Sequence, residues 1–169
     1  MNDQTLMDIV DRIRNRFYGK YRGTVREVGT DGRIKAYVPA VLGDQYTTGW
    51  CMPCVPYAGD QAAIAFLPEE KAGVWIEFEG GDVSYPIWVG CYWHDGELPS
   101  RVAPQVKVIK TKGDQQIVLD DKDHSITIID SNKNSVTLDR SGIAIVRGSG
   151  KVAISDGKVT VNDDAMEVT

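Results

Sequence analysis

The last third of the chain, from Ile117 to Thr169, repeats one short pattern, and that repeat limits what the whole molecule can be. Ile117-Val118-Leu119, Ser125-Ile126-Thr127-Ile128, Ser135-Val136-Thr137-Leu138, Ile143-Ala144-Ile145, Lys151-Val152-Ala153-Ile154, Lys158-Val159-Thr160-Val161 and Met166-Glu167-Val168-Thr169 follow one another at intervals of roughly seven to ten residues. Between them stand turn formers such as Asp130-Ser131-Asn132-Lys133-Asn134, Asp139-Arg140-Ser141-Gly142 and Asp156-Gly157. Short β-branched runs at a near-constant period describe a quasi-one-dimensional β architecture. Each repeat offers one or two inward aliphatic side chains and no aromatic residue. Strands this short need partners on both edges and a second apolar surface, so some fifty residues of this kind cannot enclose a core alone. The economical source of that surface is two more copies of the chain about a threefold axis. The side chains expected in the shared interior are Ile126, Ile128, Val136, Leu138, Ile143, Ile145, Val152, Ile154, Val159 and Val161.

The chain ahead of the repeat reads differently. Tyr21 to Val28 and Arg33 to Val38 alternate about Thr30-Asp31-Gly32, and an Asp-Gly pair between two alternating runs is a strong hairpin signal. Ile34, Ala36 and Val38 share one face. In Gly73 to Asp82, Val74, Ile76 and Phe78 alternate with Trp75, Glu77 and Glu79; in Tyr85 to Trp93, Ile87, Val89, Cys91 and Trp93 alternate with Trp88, Gly90 and Tyr92. Gly80-Gly81-Asp82 joins the two runs as an antiparallel pair with Trp75, Trp88 and Tyr92 on the outside. With the Trp50 segment and Gln61 to Phe66, five or six strands in about 75 residues predict a small closed barrel of the OB type.

The predicted organisation is all-β apart from its start. Residues 1–17 form an amphipathic helix, 18–96 the barrel, 97–116 a linker marked by Pro99, Pro104 and little periodicity, and 117–169 the repetitive part. Leu6, Ile9, Ile13 and Phe17 make the helix stripe, which either docks on its own domain or packs on a neighbouring subunit.

Several chemistries are weighed and set aside. Cys51-x-x-Cys54 followed by Cys91-x-x-His94 matches zinc-ligand spacing. Yet residues three apart in an extended strand face opposite sides, and Cys91, sharing a face with Ile87 and Val89, reads as a small buried hydrophobe. A redox Cys-x-x-Cys needs a helix N-terminus that lowers a thiol pKa, which the pattern lacks. Glu69 with Glu70 and Asp120 with Asp121 fall in turns, and His94 and His124 provide no triad base, so the chain does not read as an enzyme and calls for no cofactor. The second functional class is single-strand nucleic-acid binding on an OB barrel, with Trp75, Trp88 and Tyr92 as stacking platforms. A net charge of −5 and Glu77 and Glu79 beside Trp75 argue against it. No apolar run approaches the roughly 18 residues of a spanning helix, and no signal peptide opens the chain, so cytoplasmic synthesis is expected.

Phe17-Tyr18-Gly19-Lys20-Tyr21-Arg22-Gly23-Thr24-Val25, Val38-Pro39-Ala40-Val41-Leu42-Gly43, Trp50-Cys51-Met52-Pro53-Cys54-Val55-Pro56-Tyr57-Ala58-Gly59, Gly73 to Asp82 and Tyr85-Pro86-Ile87-Trp88-Val89-Gly90 together resemble the OB domain of phage baseplate spikes. The same domain occurs in the VgrG proteins of type VI secretion and in extracellular contractile injection systems. The repetitive tail is similar to that family's trimeric β-helical or β-prism needle. The resemblance implies a homotrimeric structural spike that tips an inner tube, pierces a target envelope in transient contact with its membrane, and works within a phage tail-like particle. Residues 97–116 are too few to hold the lysozyme domain that some spikes insert. Only the helix precedes the barrel, which implies a separate hub protein that Leu6, Ile9, Ile13, Phe17, Trp75, Trp88 and Tyr92 help to pack against hub or neighbour. The chain has no histidine after His124, so the His-x-His iron tip of short phage spikes is not carried over. Met166, Val168 and Thr169 are then expected to receive a PAAR-like tip protein.

Overall fold

The computed structural model describes residues 4–7, 10, 16–163 and 165–168. The chain divides into two compact units, Met1–Glu97 and Leu98–Thr169.

The first unit contains β1 (Tyr21–Val28), β2 (Ile34–Tyr37), β3 (Met52–Pro53), β4 (Tyr57–Gly59), β5 (Ala62–Ile64), β6 (Gly73–Phe78) and β7 (Pro86–Tyr92). Five of them form one sheet in the order β2-β1-β6-β7-β3. The β1–β2 hairpin turns at Asp31-Gly32, where Gly32 takes φ +81° and the Asp31 carboxylate accepts from the Arg33 amide. The segment Thr47–Pro53 curls the sheet back on itself. Cys51 N donates to Ile34 O (2.7 Å) and Thr48 N to Ala36 O (2.8 Å) on the β2 edge, while Met52 and Pro53 pair in parallel with Ile87 and Trp88 on the β7 edge. Inside the curl, Val25, Ile34, Ala36, Val38, Cys51, Val74, Ile76, Phe78 and Trp88 make the core. The faces predicted for β2 and β6 are the ones observed.

Strand β7 departs from its prediction. Phe78, Glu77 and Ile76 pair with Pro86, Ile87 and Trp88, but Trp75 pairs with Gly90, which leaves Val89 as an extra residue in a bulge. Trp88 therefore lies opposite Ile76 and is 3% exposed, with its indole N–H donating to Gly32 O at 3.3 Å. The expected outer position of Trp88, and with it any contact to a hub or a stacked base, is corrected: the ring fills the barrel. Both alternate sets of β7 are apolar, so hydrophobic pattern alone did not fix the register. Cys91, expected to be buried, is exposed. Gln61 to Phe66 was expected as a barrel strand; instead β5 pairs only with β4 in a separate two-stranded sheet.

The second unit is one eight-stranded antiparallel meander. Its strands are β8 (Val106–Lys110), β9 (Gln116–Asp120), β10 (Ser125–Ile129), β11 (Ser135–Asp139), β12 (Gly142–Arg147), β13 (Gly150–Ser155), β14 (Lys158–Val161) and β15 (Met166–Val168), each paired with the next. Residues 97–116 are thus not wholly linker, since β8 lies within them. Lys107 and Lys110 broke the alternation that marks a strand. Consecutive strands pair within the chain, so the sheet is a single meandering wall.

The turns explain the regular period. Asp120 Oδ1 accepts from the amides of Lys122 and Asp123, Asp130 Oδ1 from those of Asn132 and Asn134, and Asp139 Oδ1 from that of Ser141. An aspartate at the strand end bonding the backbone ahead of it forces a tight reversal and pins the register. Gly142 at φ +129° starts β12 where any Cβ would collide with the Ile154 carbonyl.

Candidate functional site: an uncovered apolar face

Residues paired across an antiparallel ladder share a face, as do residues two apart along a strand. The observed register therefore draws two rows across the meander. The first runs Leu119, Ile126, Leu138, Ile143, Ile154, Val159; the second runs Ile109, Ile117, Ile128, Val136, Ile145, Val152, Val161, Met166. The middle row of the opposite face is Val108, Val118, Thr127, Thr137, Ala144, Ala153 and Thr160. From β10 onward that middle row is small or hydroxyl-bearing, while the two rows on the other face stay aliphatic.

The aliphatic face is open. Ile128 is 49% exposed, Ile145 51% and Ile154 45%, and Val118 alone among the described residues of this unit is buried. Fully burying such a side chain is worth about 1.5–3 kcal/mol, so each half-exposed one withholds roughly 1 kcal/mol. A dozen exposed aliphatic side chains on this face withhold on the order of 10 kcal/mol, comparable to the whole stability of a domain. With strands about 4.8 Å apart, the eight-strand face is about 34 Å tall and two side chains wide. That is a continuous apolar band of the kind that marks an interaction surface.

All ten side chains expected in a shared interior lie on these two rows. Ile109, Ile117 and Leu119 belong to the same rows and were missed. Ile117 and Leu119 carried the signal in their own alternation, whereas Ile109 was masked by its lysine neighbours. Met166 ends the second row and is exposed. Val168 pairs in register with Val159, and Thr169 lies outside the described residues.

The barrel side chains proposed for packing scatter. Leu6 is exposed within the helical residues 4–7, and Ile9 and Ile13 lie outside the described residues. Phe17 packs edge-on against Tyr21 and Phe78 at 6.1 and 6.4 Å. Trp75 and Tyr92 touch each other at 5.2 Å, with the Arg22 guanidinium 5.6 and 5.8 Å from the two rings. Among the described residues, no group of three or more His, Cys, Asp or Glu stands close enough to hold a metal ion. Cys51 is buried beside Thr48, with Sγ and Oγ1 3.1 Å apart, and burial pushes its thiol above the ordinary 9.0. Cys54 is exposed.

Comparison with protein families decides what such a pair of units is. The model of the type VI secretion system/phage-baseplate injector OB domain matches residues 21–93, and that of the phage baseplate V C-terminal trimerisation domain matches residues 106–167. The chain belongs to the baseplate injector family, as a VgrG-type spike. No curated protein matches the chain significantly. The first match spans the curled barrel from β1 to β7, and the second begins on β8, in agreement with a strand in the segment read as linker. Both families are structural, and the uncovered face lies in the part of the chain that matches the trimerisation domain.

Proposed function

We propose that the chain is the non-enzymatic central spike of a contractile injection baseplate. Three copies pack their aliphatic faces about one axis, and the resulting needle tips the inner tube and pierces the target envelope. The two uncovered rows on the trimerisation domain carry this reading: a single sheet with one face apolar over eight strands is stable only when that face is covered, and threefold closure covers it with identical surfaces.

The finer assignments follow from that arrangement. A separate hub protein meets the barrel end, where Leu6, Ile9, Ile13, Phe17, Trp75 and Tyr92 remain the packing candidates. In the tail β15 is an edge strand of the sheet, and Met166, Val168 and Thr169 are the candidates to receive a PAAR-like tip protein by strand addition. The protein is made in the cytoplasm and joins a phage tail-like particle. The test is native mass spectrometry with sedimentation at micromolar protein. The expected mass is three times 18.6 kDa, about 56 kDa. A monomer with a cooperative melt refutes the spike and returns attention to nucleic-acid binding.

A further inference from the structure

The two-stranded sheet of β4 and β5 pairs with no other strand among the described residues and leaves apolar side chains exposed. From Val55 to Leu67 the only charged residue is Asp60, which sits at the tip. Val55 packs against the barrel core and Pro68 is buried, so the arm is anchored at both ends. Between those anchors Tyr57, Ile64, Phe66 and Leu67 are exposed, Phe66 at 66%. An isolated two-stranded hairpin is marginal in water, and an apolar one with two free backbone edges invites association.

We infer that this arm docks on the barrel of the next copy in the same trimer. The inference rests on the trimeric reading and adds an interface to it. Eight residues, Leu98 to Gln105, separate Glu97 from the first strand of the trimerisation unit. Even fully extended they reach about 28 Å, so a trimer holds its three barrels within that tether of a common assembly. Tethering on this scale gives an effective concentration in the millimolar range, which a free partner does not match. A weak apolar contact then becomes populated without any high-affinity site. Under threefold symmetry the contact is head to tail, each arm on the following barrel, and three such contacts close a ring with no arm left over. The trimer is thereby held at its barrels as well as along its needle.

The test places a photo-crosslinker in the arm of the full chain, as Phe66→p-benzoylphenylalanine and separately Tyr57→p-benzoylphenylalanine. Both positions are exposed, so folding is preserved. Native mass first confirms the trimer. Irradiation of the pure trimer is expected to give covalent dimers and trimers on denaturing gels, with the linked peptides inside residues 16–97 of another copy. Crosslinks confined to the same chain overturn the proposal, as do crosslinks that form only after another baseplate protein is added. A native mass of one chain overturns the trimeric reading itself, and the docked arm with it.

Discussion

Replacing Ile145 by aspartate tests the apolar face where it is most demanding. Ile145 lies in the second row, between Val136 and Val152 in register, and shares its face with Ile143 on the same strand. In the proposed trimer, Ile145→Asp places three carboxylates in a shared aliphatic interior. The least costly way to keep them there is to protonate them. Holding a carboxyl neutral at pH 7 means raising its pKa by about 3 units, or ~4 kcal/mol per chain at ~1.36 kcal/mol per unit, hence ~12 kcal/mol per trimer. Lost aliphatic burial adds roughly 1 kcal/mol per chain. The variant is expected to be monomeric or unfolded in its tail at pH 7. Because the penalty is a protonation cost, assembly should return partly near pH 5, where the introduced carboxyl is far easier to protonate. The control is Ala144→Asp, one residue away on the opposite face between Thr137 and Ala153, which should leave the trimer intact. Native mass and thermal melting of both variants at pH 7 and pH 5 decide the matter. A trimeric Ile145→Asp protein with an unchanged melting temperature refutes the assignment of the interior, and equal damage from Ala144→Asp refutes the sorting of faces.

Trp88→Ala should destabilise the barrel by about 3–5 kcal/mol in chemical denaturation, because it empties a core site and leaves Gly32 O without its donor; a loss below 1 kcal/mol places the ring outside. Iodoacetamide on the native protein should label Cys54 and Cys91 but spare Cys51, and chelation should leave the melting curve unchanged; labelling of Cys51 before unfolding contradicts its burial. Asp130 and Asp139 are held below the ordinary 3.8, chiefly by side-chain hydrogen bonds from Asn134 and Ser141. A depressed folded pKa contributes stability that is present above the unfolded value and lost as pH falls through the folded one. Tail stability should therefore be flat near pH 5 and fall below about pH 4, and Asp130→Asn with Asp139→Asn should blunt that fall in an acid titration.

Legibility differed from strand to strand for physical reasons. Strands β2 and β6 were readable because Ile34, Ala36, Val74 and Ile76 face a core while Lys35 and Glu77 face water, so only one register hides the right side chains. Strand β7 was not, since Ile87 and Val89 are as apolar as Pro86 and Trp88 and the bulge at Val89 shifts the pairing partway along. The arm failed similarly: Ala62 to Phe66 is apolar on both faces, which fits a buried barrel strand as well as a hairpin awaiting a partner. Strand β8 was hidden by Lys107, which occupies the first-row position opposite Leu119 and donates to its own chain's Pro104 carbonyl. The two rows of the tail were legible almost whole, because Asp120, Asp130 and Asp139 pin three of the turns and the same alternation repeats from strand to strand.

Barrel and tail solve the problem of a small core in opposite ways, and the difference bears on the proposed work. The barrel closes through its own chain: Thr47–Pro53 bonds to both edges, and nine buried side chains fill the inside. The tail satisfies its backbone within one chain, strand to neighbouring strand, but leaves its apolar side chains for other copies to cover. In a needle of three such walls, covalent chain and hydrogen-bond ladder stay within each wall, while the walls are held to one another by apolar packing along their full height. A load along the needle is then resisted by eight stacked strands per wall, and slippage between walls requires many aliphatic contacts to break together rather than one by one. Packing of this kind is non-directional and forms only once register is set, which is why the turns specify register so tightly and why the interior needs no polar group to do so.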